Sequence, residues 1–306
     1  MNFLLFRTDK IGDLVLSLSL PQGIKRKYPD SKIFFVLNPL YKEILLNHPD
    51  IDKVIEFENL KSAYNKLKNL KIDVAVHVFP RFKEAFLSFL LKIPERIGTA
   101  YRVYSPLFNK RIFMHRKTCN FHESEYNVLL FKKAGYDIEY TKPKLYLEEK
   151  ERRKIREKFK NYKRPFILLH PESKGSAPNW SFERYKKLLK ILDIDGTIFI
   201  TGLKKNFEIH RKENIIDLRS KLNLREFINL ISICDLVFAP STGVIHIASA
   251  LNVKVLTIFS EKIPFTPRRW GPLGKSKILK VPDENLDKIQ PEEVKEEIKS
   301  LLFADS

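Results

Sequence analysis

Short runs of apolar, β-branched and aromatic residues alternate with amphipathic stretches of helical period along this chain, and the pattern occurs twice. The runs fall at 2–7, 31–37, 53–57 and 73–79, and again at 165–170, 196–202, 215–218, 235–240 and 253–259. A strand that is apolar on both faces must be covered on both, which calls for a parallel sheet with helices outside it. Stretches at 59–71, 81–93, 122–135, 182–192, 222–234 and 242–252 supply those helices. The charge-rich segment 148–165, "EEKERRKIREKFKNYKRP", separates the two copies of the pattern. The expectation is an α/β chain of two Rossmann-like domains whose parallel sheets face a central cleft. One domain spans 1–150 and a linker 151–164; the second domain spans 165–285, with a closing helix at 286–306, where Pro291 suits a first turn.

Length and composition agree with this. A chain of 306 residues, 43% hydrophobic and 30% charged, can bury two cores and is not disordered. No apolar run approaches the roughly 18 residues of a membrane span. The chain starts directly on an apolar strand without a cationic leader, so the expected location is cytoplasmic. Cys119 and Cys234 lie far apart, without metal-ligand spacing, and read as free thiols. The net charge of +19 is spread over both halves and predicts an anionic partner: nucleic acid, an anionic bilayer or a phosphorylated substrate. Between Arg96 and Asn120 lie Arg96, Arg102, Lys110, Arg111, Arg116 and Lys117, with no acidic residue and with Tyr101, Tyr104 and Phe108 among them. That stretch is either a solvated basic face or a docking surface for an anionic acceptor.

Ligands of open parallel sheets bind beyond the carboxyl ends of the strands, which singles out four loops. In "RTDKIGDLVLSLSL" (7–20), Gly12 permits close approach and Asp13 stands where a helix begins. Asp13 is either a helix cap or a general base for an attacking hydroxyl. In "HPESKGSAPNW" (170–180), Ser173, Lys174, Gly175 and Ser176 have the makings of a phosphate cradle, though not of a P-loop. In "APSTGVIHIASAL" (239–251), Ser241, Thr242 and Gly243 open a helix whose N-terminus favours an anion, and His246 shares a face with Thr242. In "EKIPFTPRRWGPLG" (261–274), Arg268, Arg269 and Trp270 are either ligands of a charged group or parts of a stiff proline-rich loop. The sequence "DID" at 50–52 and 193–195 precedes strands, at the wrong end of the sheet for a metal beside a ligand, and no other metal or cofactor motif is found.

These blocks, in this order, together with "HPDIDKVIEF" and "HESEYNVLLFKKAGY", resemble the ADP-heptose:lipopolysaccharide heptosyltransferases, glycosyltransferase family nine. The resemblance implies a GT-B fold with the acceptor on the N-terminal domain and the nucleotide sugar on the C-terminal one. It also implies inverting, metal-independent transfer of heptose from ADP-heptose to the lipopolysaccharide inner core, without a cofactor, at the inner face of the bacterial inner membrane. Asp13 then matches the family's catalytic base. Ser173, Lys174, Ser176, Ser241, Thr242, Gly243 and His246 fall to the nucleotide-sugar donor and its diphosphate, and Glu208 loosely matches a carboxylate that the family uses on the nucleotide ribose. Gly12, Arg96, Arg102, Lys110 and Arg111 fall to an anionic glycolipid acceptor, with peripheral contact to an anionic membrane and no nucleic acid. Two departures stand out: Ser241 replaces an Asp that contacts the donor sugar, and Pro178 replaces a Lys two residues before the Trp. The alternatives are a GT-B enzyme using another nucleotide sugar for another surface glycan, and a basic nucleic-acid-binding protein without catalysis.

Overall fold

In a computed structural model, which describes residues 1–173, 175, 177–203, 207–209 and 212–303, each apolar run forms a parallel strand. The chain divides into two units, residues 1–146 and 147–306. The first contains β1 (Asn2–Arg7), α1 (Ile11–Leu16), α2 (Ser19–Lys27), β2 (Lys32–Leu37), β3 (Lys53–Glu56), α3 (Leu60–Leu67), β4 (Val74–His77), α4 (Phe82–Leu90), β5 (Glu95–Thr99), β6 (Lys110–Ile112) and α5 (Glu123–Lys133). Its sheet runs β3-β2-β1-β4-β5-β6, all parallel. β1 is buried on both faces. Leu4 and Phe6 join a core with Ala63, Leu67 and Leu87 from α3 and α4, while Phe3 turns to Tyr28 and Phe131 on the α2/α5 side.

The second unit contains α6 (Glu149–Lys158), β7 (Phe166–Leu169), α7 (Phe182–Ile191), β8 (Thr197–Ile200), β9 (Ile215–Asp217), α8 (Leu224–Ile233), β10 (Leu236–Phe238), α9 (Gly243–Ala250), β11 (Lys254–Ser260), α10 (Pro267–Trp270), β12 (Ser276–Val281) and α11 (Pro291–Phe303). Its order is β12-β11-β10-β7-β8-β9. Counted from the first strand of each unit, both sheets follow the doubly wound order 3-2-1-4-5-6. The order reverses between β1 and β4 in one sheet and between β7 and β10 in the other, and those are the two crevices where such sheets take ligands.

The segment expected to link the domains, 151–164, supplies most of α6. Arg225 of α8 holds Glu151 with two bonds, at 2.7 and 2.6 Å, and Ile155 and Phe159 are buried, so this helix packs within the second unit. The closing helix α11 buries Val294 and Ile298, and the buried Trp180 donates its indole N–H to the Ile289 carbonyl just before it. β5, β6 and β12 lie where no strand was expected. β5 carries charged residues and a glycine that the packing demands: a Cβ on Gly98 would meet the ring of buried Phe108 at 2.4 Å. The helical stretch after β1 is also two helices rather than one. Pro21 cannot donate to the carbonyl of Ser17 and would clash with it, so α1 ends and α2 restarts at Ser19.

Candidate functional site

At the first crevice the structure assembles a cluster of buried charges around Arg7, the last residue of β1. Arg7 is 1% exposed. Its Nε lies 2.8 Å from Asp9, one terminal nitrogen donates to Asp13, and the other lies 3.5 Å from Glu123. Arg116 in turn donates to Glu123 and, at 2.9 Å, to Asn127 on α5. Three carboxylates thus share two guanidinium groups. Burial works against the charge on Arg7, but Asp9, Asp13 and Glu123 outweigh it and hold the guanidinium protonated.

Asp13 is not a helix cap. Lys10 occupies the N-cap position of α1 and Asp13 the third helical position, where its side chain turns back to Arg7. Of the three carboxylates around Arg7, Asp13 is the most accessible, at 15% against 8% for Asp9 and 2% for Glu123. Burial pushes Asp13 up to about 6, and the charges of Asp9 and Glu123 add to this against the Arg7 ion pair. A carboxylate held in one orientation, reachable from outside and more basic than usual, is equipped to accept a proton near neutral pH. Gly12 is buried beside it in the same turn.

Behind the cluster, the Thr8 hydroxyl donates to Glu84, the third residue of α4 and 1% exposed. Burial pushes Glu84 up to about 7 despite Thr8 and Arg81. A carboxyl whose pKa is higher folded than unfolded is best tolerated when protonated, so its stability contribution declines as pH rises from about 4.5 through 7. Glu84→Gln keeps an acceptor for Thr8 without the charge. The variant is expected to be more stable than wild type by roughly 1–2 kcal/mol at pH 8 and equal to it near pH 5. Urea midpoints at the two pH values check this, and a gap of the same size at both would contradict it.

Sequence reasoning missed Arg7, Asp9, Glu84, Arg116 and Glu123 as parts of this site. The one visible signal was an arginine closing an otherwise apolar strand, a position that is buried if the strand is central. The expected acceptor residues separate. Arg96 and Lys110 stand near the amino ends of β5 and β6, away from Asp13. Arg96 donates to the carbonyls of Leu107 and Ile93, and Lys110 pairs with Glu95 at 2.9 Å. Arg102 and Arg111 are exposed, Arg102 following the carboxyl end of β5 and Arg111 on the edge strand β6.

At the second crevice Thr242 is the N-cap of α9, accepting from the Val244 N–H at 3.4 Å, with Ser241 and Gly243 partly exposed on either side. The α9 N-terminus therefore follows β10 directly at the switch point, and the positive end of its dipole offers a place for an anion. His246 is buried within α9. Ser173, in the loop after β7, is buried and donates its hydroxyl to the Ala177 carbonyl at 2.9 Å, which closes that loop on itself. Lys174 and Ser176 lie outside the described residues. Glu208 is exposed. Arg269 stacks on Trp270, 4.5 Å from the ring centre, and the indole donates to Pro264, so those side chains build their own loop. Both "DID" copies precede strands: Asp52 accepts from Ile33 at 2.8 Å and pairs with Lys25 at 3.0 Å, and Asp195 pairs with Lys163.

Two doubly wound units of the same strand order, with candidate groups at both switch points, are the architecture of a GT-B glycosyltransferase. The comparisons agree. A structure described as a glycosyltransferase of family 9 from Veillonella parvula superposes with a TM-score of 0.85 at 16% identity, covering 100% of this chain and 97% of that one. The structure of the Escherichia coli ADP-heptose lipopolysaccharide heptosyltransferase II gives 0.85 at 22% identity, covering 100% and 99%. Lipooligosaccharide heptosyltransferase 2 of Haemophilus influenzae is 27% identical over 320 aligned positions, covering 95% of this chain and 91% of that protein. The family model described as glycosyltransferase family 9 (heptosyltransferase) matches residues 61–298. The chain belongs to glycosyltransferase family 9.

Proposed function

We propose that this enzyme is an inverting, metal-independent transferase that moves heptose from ADP-heptose to an acidic lipopolysaccharide inner-core acceptor. The observation that carries the reading is Asp13, held by buried Arg7 at the β1/β4 switch point with its pKa pushed up to about 6. In a single displacement, Asp13 takes the proton of the acceptor hydroxyl as that oxygen attacks the anomeric carbon. The new glycosidic bond forms while the bond from that carbon to the diphosphate oxygen breaks, and ADP leaves. Charge developing on the diphosphate is met by the α9 N-terminus at Thr242 and Gly243, with Ser241, Ser173, Lys174, Ser176 and His246 assigned around it. The helix end can meet that charge directly, which supports transfer without a metal. Glu208 is assigned to the nucleotide ribose. Arg102 and Arg111, with Gly12 beside the base, are assigned to the phosphates and acidic sugars of a glycolipid acceptor. The names of the similar proteins, heptosyltransferases of lipopolysaccharide or lipooligosaccharide, support the choice of sugar and acceptor.

An acceptor of that chemistry supports assigning the enzyme to the cytoplasm, at the inner face of the inner membrane. Among the described residues no helix is long and apolar enough to cross a membrane. Ser241, in place of the family's donor-contacting Asp, favours one second reading: the same transfer with a different nucleotide sugar, onto another surface glycan. Calorimetric titration with ADP, UDP, GDP and CMP separates the readings. Selective ADP binding at moderate salt is expected. Preference for another nucleotide would replace the donor, and binding to none of them, with tight salt-sensitive binding to nucleic acid, would overturn the transferase mechanism.

A further inference from the structure

The carboxyl edge of the first sheet carries an apolar surface that no step of the transfer uses; of the residues assigned to the acceptor, only Arg102 and Arg111 border it. Val103, just past β5, is 100% exposed, and Phe113, just past β6, is 70% exposed. Tyr101 joins Phe113 to His115: its ring lies 5.8 Å from Phe113 and stacks 4.1 Å from His115. Phe82, 55% exposed at the start of α4, meets Tyr104 edge-on at 5.9 Å and extends the apolar surface along the same edge. A soluble protein rarely leaves large apolar side chains grouped in this way unless something covers them.

The charges around this surface indicate what covers it. Arg81, Lys117, Arg102 and Arg111 are exposed at its margins; Arg81 acts on the buried Glu84, and the other three have no carboxylate partner among the described residues. The acidic side chains closest in sequence are turned to other work: Glu84 and Glu123 are buried, and Glu125 accepts from the backbone N–H of His122 at α5. Aromatic and aliphatic side chains bordered by cations, three of them without counter-charges, match the boundary of an anionic bilayer, where apolar groups enter the acyl region and cations remain among the headgroups. A protein partner would have to supply acidic side chains in the same pattern; an anionic leaflet supplies them everywhere.

We propose that the surface formed by Tyr101, Val103, Phe113 and Phe82, with the cations around it, docks the enzyme on an anionic lipid bilayer. The surface also reaches the Asp13 cluster. Phe79, partly exposed after β4, lies 5.7 Å from the guanidinium carbons of both Arg81 and Arg7, and Arg7 binds Asp13. Docking at this edge therefore brings the plane of the leaflet to the side of the unit on which Asp13 opens, within reach of a sugar carried on a lipid. The proposal rests on the transferase reading for its purpose but not for its test, because vesicle binding is measured without acceptor or nucleotide.

The experiment uses the full chain with vesicles of phosphatidylcholine alone and of phosphatidylcholine with phosphatidylglycerol, read by sedimentation. Binding to the acidic vesicles, weakened by salt, is expected. Val103→Ser/Phe113→Ser, which removes apolar surface without changing charge, is expected to weaken partitioning about tenfold. Lys117→Gln should weaken it about fivefold. Phe113→Trp should bind as wild type and show an added blue-shifted emission on acidic vesicles. Unchanged binding by the double variant, or no blue shift for Phe113→Trp, would overturn the proposal. So would self-association of the wild type that the double variant abolishes, since the surface would then belong to a second copy. Failure of ADP binding with normal vesicle binding would overturn the transferase reading alone.

Discussion

Asp13→Ala is expected to lower kcat by about 10²–10⁴-fold while leaving ADP affinity within about twofold of wild type, because general-base catalysis contributes about that much. The separation follows from where the groups lie. Asp13 belongs to the first unit, and the helix end assigned to the diphosphate belongs to the second, so deleting the carboxylate removes no donor contact. The pH profile supplies a second signature. With Asp13 titrating at about 6, the wild-type rate should rise through pH 6 with the slope of one proton and level off above it. Asp13→Asn preserves shape and polarity without basicity and should be as inactive as the alanine variant. Normal turnover in either variant would remove Asp13 from its role. Loss of ADP binding together with turnover would point to a collapsed fold rather than a missing base, which circular dichroism would show.

Arg7→Met should cost about 3–5 kcal/mol of stability, the range for removing one partner from a buried ion pair. Asp9 and Asp13 would then lose the ion pairs they make with Arg7, and Glu123 would keep Arg116, one of whose bonds already goes to Asn127. The sign of the pH dependence is fixed by the same geometry. Without Arg7 the carboxyl groups bind protons more tightly in the folded state than in the unfolded one, so the deficit is largest above pH 7. It shrinks as pH falls toward 4 and they become neutral. Urea midpoints from pH 4.5 to 8 test this directly. Combining Arg7→Met with Asp13→Asn should recover part of the loss, since the second change removes one of the stranded charges, and the double-mutant cycle isolates that coupling. Equal midpoints for wild type and Arg7→Met would mean that the cluster does not form. Catalysis should suffer as well, with the profile of any remaining activity displaced to higher pH.

Much of this architecture could be read from residue patterns, and the omissions have physical causes. Central strands such as β1, β2, β4, β7 and β10 are buried on both faces and announce themselves as apolar runs. β5, β6 and β12 are flanking or edge strands with charged residues and, in β5, a glycine chosen for Phe108. They need apolar character on one side only, and over a few residues that leaves no period to detect. Their absence from the sequence reading made 96–120 look like one continuous basic surface. In the structure the segment divides, with Arg96 and Lys110 committed to the amino ends of the strands and the exposed aromatics gathered at the other end.

The candidate site divides in the same way. That Asp13 and Thr242 each follow a strand and sit at a helix start is local information, carried by a few neighbouring residues and legible without coordinates. Whether those strands lie at a reversal of strand order is decided only by how each sheet assembles. So is the pairing of Arg7 with Glu123, which joins the end of the first strand to the last helix of the unit. Periodicity and turn chemistry act over a few residues, so the sequence by itself determined the elements, their class and the loops that could bear chemistry. Charge neutralisation in a buried crevice depends on distances between remote segments. Only the tertiary structure decided that Asp13 is a held, basic carboxylate rather than a helix cap.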